Sequence, residues 1–158
     1  MSANLVRPAR LSDVATLATM MIEFYAEANF TLERDRAQAA FEHLLRRREL
    51  GCVWVLECDS MAAGYVVLTL VYAMEYGMLR GFIDDLYVRQ PFRRHGLATA
   101  ALANVKTYCL HSKIAALFVQ AGPDNDAAQR TYRRAGFSDI GHHLLVQPLA
   151  PALHEPRS

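Results

Sequence analysis

The sequence contains no apolar run approaching the roughly 18 residues that a membrane-crossing helix needs. It has little charge of either sign in excess: 17 Lys and Arg stand against 16 Asp and Glu, for a formal net charge of +1. That balance gives no electrostatic grip on nucleic acid or on an anionic membrane, so neither is expected as a partner. Only three cysteines occur, Cys52, Cys58 and Cys109, an odd number without a Cys-x-x-Cys pair. A disulfide framework is therefore excluded as the organising device, and reduced thiols are expected. The opening residues, Met-Ser-Ala-Asn-Leu-Val-Arg-Pro, lack the apolar stretch of a signal peptide. Together these absences lead to the expectation of a cytoplasmic protein. There is also no internal repeat and no low-complexity linker.

What is present is a chain of 158 residues, 53% hydrophobic and 21% charged, enough to close one core. Leu5, Val6 and Arg7 before Pro8 read as a short strand. Ser12 is placed to cap a helix in which Val14, Leu17, Ala18, Met21, Ile22 and Tyr25 recur at helical spacing. A second helix is expected over residues 33–49, with Gly51 just past its end. The β-branched and aromatic runs 52–57 and 63–72, with Asp59-Ser60 between them, predict a hairpin, and a third strand is expected over 81–88. An amphipathic helix follows over 97–111, then a strand over 114–119 and a helix opened by Pro123-Asp124-Asn125 and ended by Gly136. A last strand is expected over 137–147. The order predicts a single α/β (α+β) domain over residues 1–147, a mixed sheet with about four helices packed on it, and a tail over 148–158.

The segment that carries chemistry is Val88-Arg89-Gln90-Pro91-Phe92-Arg93-Arg94-His95-Gly96-Leu97-Ala98-Thr99. Pro91 stops the strand, Gly96 permits a tight turn, and Ala98 is small where the next helix begins. The first turn of a helix offers N–H groups without internal partners, and the helix dipole adds to their pull on an anion. Two arginines contribute donors matched to phosphate oxygens. These features predict a pyrophosphate site. Neither a Gly-x-Gly-x-x-Gly nor a Walker sequence can be written here.

Downstream, Asn125-Asp126-Ala127-Ala128-Gln129-Arg130-Thr131-Tyr132-Arg133-Arg134-Ala135-Gly136-Phe137 reads as an Asn-capped helix with Tyr132 one turn before its terminating glycine. The pair of motifs, Arg93-x-x-Gly96-x-Ala98 and Asn125-x-x-Ala128-x-x-x-Tyr132-x-x-x-Gly136-Phe137, resembles the GNAT superfamily of acetyl-coenzyme-A-dependent N-acetyltransferases. Ile83-Asp84-Asp85-Leu86-Tyr87-Val88 is similar to that family's fourth strand, and the element order to its whole fold. Ala98 stands where many members carry a second glycine.

The resemblance implies acetyl-coenzyme A as cosubstrate and no metal. It implies that backbone groups of Leu86, Tyr87 and Val88 pair with the pantetheine arm. The turn of Arg93, Arg94, His95, Gly96, Leu97, Ala98 and Thr99 would hold the pyrophosphate, with the N–H groups of Arg94, Gly96, Ala98 and Thr99 foremost. Asn125 would touch the cofactor arm. Tyr132 would stand by the thioester sulfur as general acid, a role a phenol of pKa near ~10 can serve toward a forming thiolate. A backbone N–H near Tyr87 or Val88 would meet the developing oxyanion. Asp84 matches the position where similar enzymes place an acid, for amine binding or as base. Asp85, on simple strand alternation, points to the opposite face. The family's frequent homodimers imply the same here.

Other residues have plainer readings. Tyr132, four residues after Ala128, also suits a core tyrosine. His142 and His143 alternate across a strand and find no third ligand at metal spacing. Cys109 lies on an apolar helix face. Glu23, Glu27, Glu75 and Asp84 are expected to form an acidic rim for a small cationic amine, with Tyr25, Phe30, Tyr72 and Tyr76 as apolar walls. A non-catalytic coenzyme-binding module, or a nucleotide-binding regulator, would keep the phosphate turn without needing an acid or base.

Overall fold

The computed structural model describes residues 3–156. Strand β1 (Asn4–Pro8) leads through a 3-10 turn (Leu11–Asp13) into helix α1 (Val14–Glu27). Strand β2 (Phe30–Leu32) and helix α2 (Arg34–Leu45) follow, then three long strands, β3 (Gly51–Cys58), β4 (Met61–Ala73) and β5 (Met78–Val88). A 3-10 turn (Gln90–Phe92) precedes helix α3 (Leu97–His111), strand β6 (Leu117–Val119), helix α4 (Asp126–Arg134) and strand β7 (His154–Pro156). The main sheet has the order β1-β3-β4-β5-β6, antiparallel throughout except for the parallel β5–β6 pair.

Both faces of the sheet are covered, which is why β3 and β4 read as almost unbroken apolar runs. Alternate residues of β3 divide between two cores. Val53 and Val55 pack with Leu17, Met20 and Phe41 of α1 and α2, whereas Trp54 and Leu56 pack with Leu102, Val105 and Cys109 of α3. Gly51 opens β3 because the backbone of Leu68 passes so close that a Cβ there would lie 2.0 Å from the Leu68 carbonyl oxygen.

Several expected boundaries move. Helix α2 stops at Leu45 instead of residue 49, because the Arg47 N–H donates to the Leu44 carbonyl and the chain tightens into turns. Ser12 caps nothing; the Asp13 carboxylate accepts the Arg10 N–H at 2.7 Å and also holds the Arg7 guanidinium. Strand β6 begins only at Leu117, since the Ile114 N–H is taken by the Cys109 carbonyl at the end of α3. The largest correction concerns residues 137–147, which form no strand. Gly136 (φ +100°) and Gly141 (φ +72°) turn the chain, and the Asp139 side chain accepts the Gly141 N–H at 2.7 Å. The expected tail instead contributes β7, which pairs antiparallel with β2.

One irregularity positions the site. Along β4 and β5 the register runs Val67↔Asp85 and then Leu68↔Ile83, so Asp84 is an extra residue, a β-bulge. Simple alternation fails there: Ile83 and Leu86, three apart, both pack on the α3 side, while Tyr87 belongs to the α1 side. The bulge leaves Asp84 without a partner on β4, so strand alternation no longer fixes the face its side chain takes.

Candidate active site

Strands β5 and β6 pair over only three residues, Gly81↔Leu117, Phe82↔Phe118 and Ile83↔Val119, and then part. The β5 edge over 84–88 therefore has no β6 partner, and the opening is lined by Leu86, Val88, Ala98, Ala128, Thr131 and Tyr132. At its mouth the turn into α3 places Arg94 at φ +65° and Gly96 at φ +79°. No N–H of residues 94–99 donates to another group among the described residues; the first helical bond runs from Ala100 to the Gly96 carbonyl. A Cβ added to Gly96 would meet nothing within 4 Å, so glycine is required there by its left-handed backbone and not by crowding inside the protein. Converging free donors and an open glycine at a helix N-terminus fit the pyrophosphate of a coenzyme. The Leu97 side chain is buried in the core, which leaves its N–H as its contribution to the turn.

Asn125 caps α4 by accepting the Ala128 N–H at 3.1 Å. That cap aims the helix so that Tyr132 enters the opening, steadied by an edge-on contact with Phe137 (ring centroids 5.8 Å apart). Its hydroxyl makes no hydrogen bond among the described residues. Burial, and then the charge of Asp85, push the phenol above its ordinary pKa.

The description "Acetyltransferase (GNAT) family" fits the chain over residues 18–137. The protein belongs to the GNAT acetyltransferase family. Among solved structures, an integron cassette protein from the mobile metagenome of Cole Harbour Salt Marsh is 45% identical, with a TM-score of 0.88 over 95% of this chain and 93% of that one. A possible acetyltransferase from Clostridium difficile 630 is 18% identical (TM-score 0.83, 94% and 99% covered). The aminoglycoside N-acetyltransferase AAC(6')-Iy, solved with CoA, is 15% identical (TM-score 0.81, 95% and 97% covered). No curated protein matches the sequence. The four helices and mixed sheet are the GNAT fold of these neighbours.

Within this GNAT domain the two β5 acids sit in different surroundings. Asp85 is buried, accepts a 2.9 Å hydrogen bond from the Tyr65 hydroxyl, and has its pKa pushed up to about 6, chiefly by burial. Asp84 is exposed at its surface, yet partial desolvation raises it as well. Neither makes an ion pair among the described residues. Burial chiefly, and then the charges of Asp85 and Asp84, raise the Tyr25 phenol, so the two carboxyls and Tyr25 share one field. Because the folded-state pKa of Asp85 lies above the ordinary 3.8, folding favours its protonated form. Stability is thus lost as pH climbs through the interval between 3.8 and about 6. Asp85→Asn is accordingly expected to stabilise the GNAT domain by about 3 kcal/mol above that interval. The gain vanishes below it, a pattern read from denaturant unfolding at several pH values.

Other expected site residues are placed differently. Arg93 turns away from the phosphate turn: its Nε donates to the Val88 carbonyl at 2.8 Å and its Nη2 to both carboxylate oxygens of Glu27 at 2.7 and 2.8 Å. Arg89 likewise holds Glu23 with two 2.9 Å bonds. The two glutamates of the expected rim are therefore already paired, which leaves Asp84 as its member on β5 without an ion pair among the described residues. Glu75, Tyr72 and Tyr76 lie at the β4–β5 tip, about six residues of strand or ~20 Å from Asp84, and line no part of the opening. Tyr25 and Phe30 do meet near the site, both edge-on to His154 of β7 at 5.2 and 4.3 Å. Sequence reasoning missed His154, which sits in the proline-bearing tail, and Tyr65, which reads as one more apolar position of β4. Arg94, His95 and Thr99 are exposed around the turn, and the His95 carbonyl accepts the Asn4 side-chain amide at 2.7 Å. His142 and His143 are exposed, and no group of three metal-ligating side chains occurs among the described residues.

Proposed function

We propose that the protein is a cytoplasmic, homodimeric N-acetyltransferase that acetylates the primary amine of a small cationic molecule by direct attack. The observation that carries this reading is the parting of β5 from β6, which sets an unpaired strand edge beside Tyr132 and within the field of two unneutralised carboxyls. Acetyl-coenzyme A supplies the activated acyl thioester. The β5 edge at Leu86, Tyr87 and Val88 orients the pantetheine arm through those backbone groups that remain open, the Val88 carbonyl being already held by Arg93 Nε, and the N–H groups of the turn from Arg94 to Thr99 bind the pyrophosphate. Asn125 keeps its side-chain NH2 available to the arm while its oxygen caps α4. The Tyr132 hydroxyl, which makes no hydrogen bond among the described residues, holds the proton that the departing thiolate needs.

Asp84, exposed and raised in pKa, receives the amine proton directly or through water. Asp85 beneath it adds negative charge, so the pair draws a cation and tolerates a proton between them. A thiol-release assay across polyamines, aminoglycosides, amino acids and peptides tests the acceptor class. Turnover is expected to be fastest with the polycations; equal or greater rates with neutral amino acids or acidic peptides overturn that assignment. The engagement of Glu23 and Glu27 by arginines favours a second reading, a coenzyme-binding module without turnover. It predicts tight coenzyme binding and no thiol release across the panel.

A further inference from the structure

The Tyr65 side chain is fully buried in β4, and among the described residues its hydroxyl has one partner, the Asp85 carboxylate at 2.9 Å. Packing alone does not call for that hydroxyl. The ring stands edge-on to Phe41 (centroids 5.6 Å apart) and tilted against Tyr87 (6.2 Å), contacts that a phenylalanine would make equally well. A hydroxyl in such a place costs free energy unless it is bonded, so its gain lies in what it does to Asp85. The register shows how the two meet. Tyr65 lies opposite Tyr87 and Asp85 opposite Val67, so the phenol reaches diagonally across β4 and β5 on the face that packs against α1 and α2.

Asp85 Oδ2 is thereby tied down. No hydrogen bond reaches Oδ1 among the described residues, and none of their buried side-chain oxygens is left without a partner, so Oδ1 keeps contact with open space. Tyr25 of α1 and Tyr132 of α4 are both raised by burial and then by the charge of Asp85, which places the carboxyl between the acceptor side and the coenzyme side. The groups that face it are Asp84 on β5 and the phenols of Tyr65, Tyr25 and Tyr132, while α2 brings the Phe41 ring. Arg89 and Arg93 are engaged by Glu23 and Glu27, and no cation among the described residues pairs with Asp85. Burial raises the Asp85 carboxyl most and the charge of Asp84 adds to it; the Tyr65 hydrogen bond opposes both. The Tyr65 phenol is itself held well above its ordinary range, chiefly by burial, so it stays a donor.

We propose that Tyr65 is a positioning residue for acetyl transfer: its hydroxyl holds Asp85 as an anion with Oδ1 turned to the opening, where that oxygen receives the cationic nitrogen of the acceptor. Asp84 remains the proton acceptor, and Asp85 supplies the charge that seats the ammonium before its proton leaves. This role deepens the proposed function and rests on its acceptor being a cationic amine.

Two variants of the full chain test it. Tyr65→Phe keeps the ring and Asp85→Asn the shape of the carboxyl, and both are expected to keep wild-type circular dichroism and coenzyme affinity. In carbon NMR of the coenzyme-free protein, the Asp85 carboxyl should titrate at about pH 6 in the wild type and at higher pH in Tyr65→Phe. With a polyamine acceptor, kcat/KM of Tyr65→Phe relative to wild type is expected to fall on the order of tenfold at a pH of about 6 and to recover as pH rises, the loss lying in KM more than in kcat. Asp85→Asn should raise the acceptor KM on the order of tenfold or more. Adding Tyr65→Phe to it should change the rate by less than about twofold, because the phenol acts through that carboxylate. An unmoved Asp85 titration, a deficit independent of pH, or a Tyr65→Phe effect that persists beside Asp85→Asn overturns the positioning role and leaves acetyl transfer standing. A wild-type acceptor KM in Asp85→Asn does the same without recourse to Tyr65→Phe. Absence of thiol release with every amine overturns the proposed function itself, and this role with it.

Discussion

Replacing Tyr132 by Phe is expected to lower kcat for acetyl transfer by about 10²–10³-fold while coenzyme affinity stays within a few-fold of wild type. The substitution keeps the ring that packs on Phe137 and lines the opening, and removes one hydroxyl that makes no hydrogen bond among the described residues. Loss of stability is therefore small. Stopped thiol release and calorimetry with acetyl-coenzyme A separate the two quantities. Since the phenol's pKa is raised by burial and by Asp85, its proton is retained across neutral pH. The basic limb of the rate profile should accordingly lie above the ordinary range for tyrosine and vanish in the variant. Unchanged turnover would remove Tyr132 from the chemistry.

Gly96→Glu is expected to abolish measurable coenzyme binding, a loss on the order of 10³-fold or more. A side chain at φ +79° costs roughly 1–2 kcal/mol by itself. The larger effect is that a Cβ there meets nothing within 4 Å, so a longer side chain has open space beside the turn whose N–H groups are unpaired among the described residues. A carboxylate in that position takes those donors for itself and repels phosphate. Gly96→Ala is the graded control, adding strain and one methyl but no charge, and should lose roughly tenfold. If Gly96→Glu bound the coenzyme normally, the pyrophosphate assignment of this turn would be wrong, whatever the family.

The parts of the molecule that were legible from the chain are those where local pattern and chemistry coincide. Helix α1 announces itself through Val14, Leu17, Ala18 and Met21, all of them buried. The phosphate turn follows from Pro91, Gly96 and Ala98 as punctuation, and the Asn125 cap from residue type. What was not legible depends on partners distant in sequence. The bulge at Asp84 arises from how β4 and β5 settle against two cores at once, and nothing local distinguishes it from alternation. Arg93 looks like a phosphate ligand beside Arg94, and only the arrival of α1 gives its guanidinium a carboxylate to hold. The strand expected over 137–147 does not form, because a strand needs an edge as well as a pattern. In this chain the preceding glycines and the anchoring of β7 carry it away from one.

The Arg93 guanidinium has a mechanical consequence. It fastens the last residue of β5 and the last residue of α1 to the loop that follows, through one side chain. The loop and the helix end thus cannot drift independently: a displacement of either is felt by the other through a rigid planar fork. Whatever reaches the end of α1 therefore alters the rest position of the loop. By thermodynamic reciprocity, whatever seats in the loop alters the end of α1 equally. Arg89 on Glu23 repeats the tie one turn earlier on α1, so two pairs of charges link the helix end to the loop.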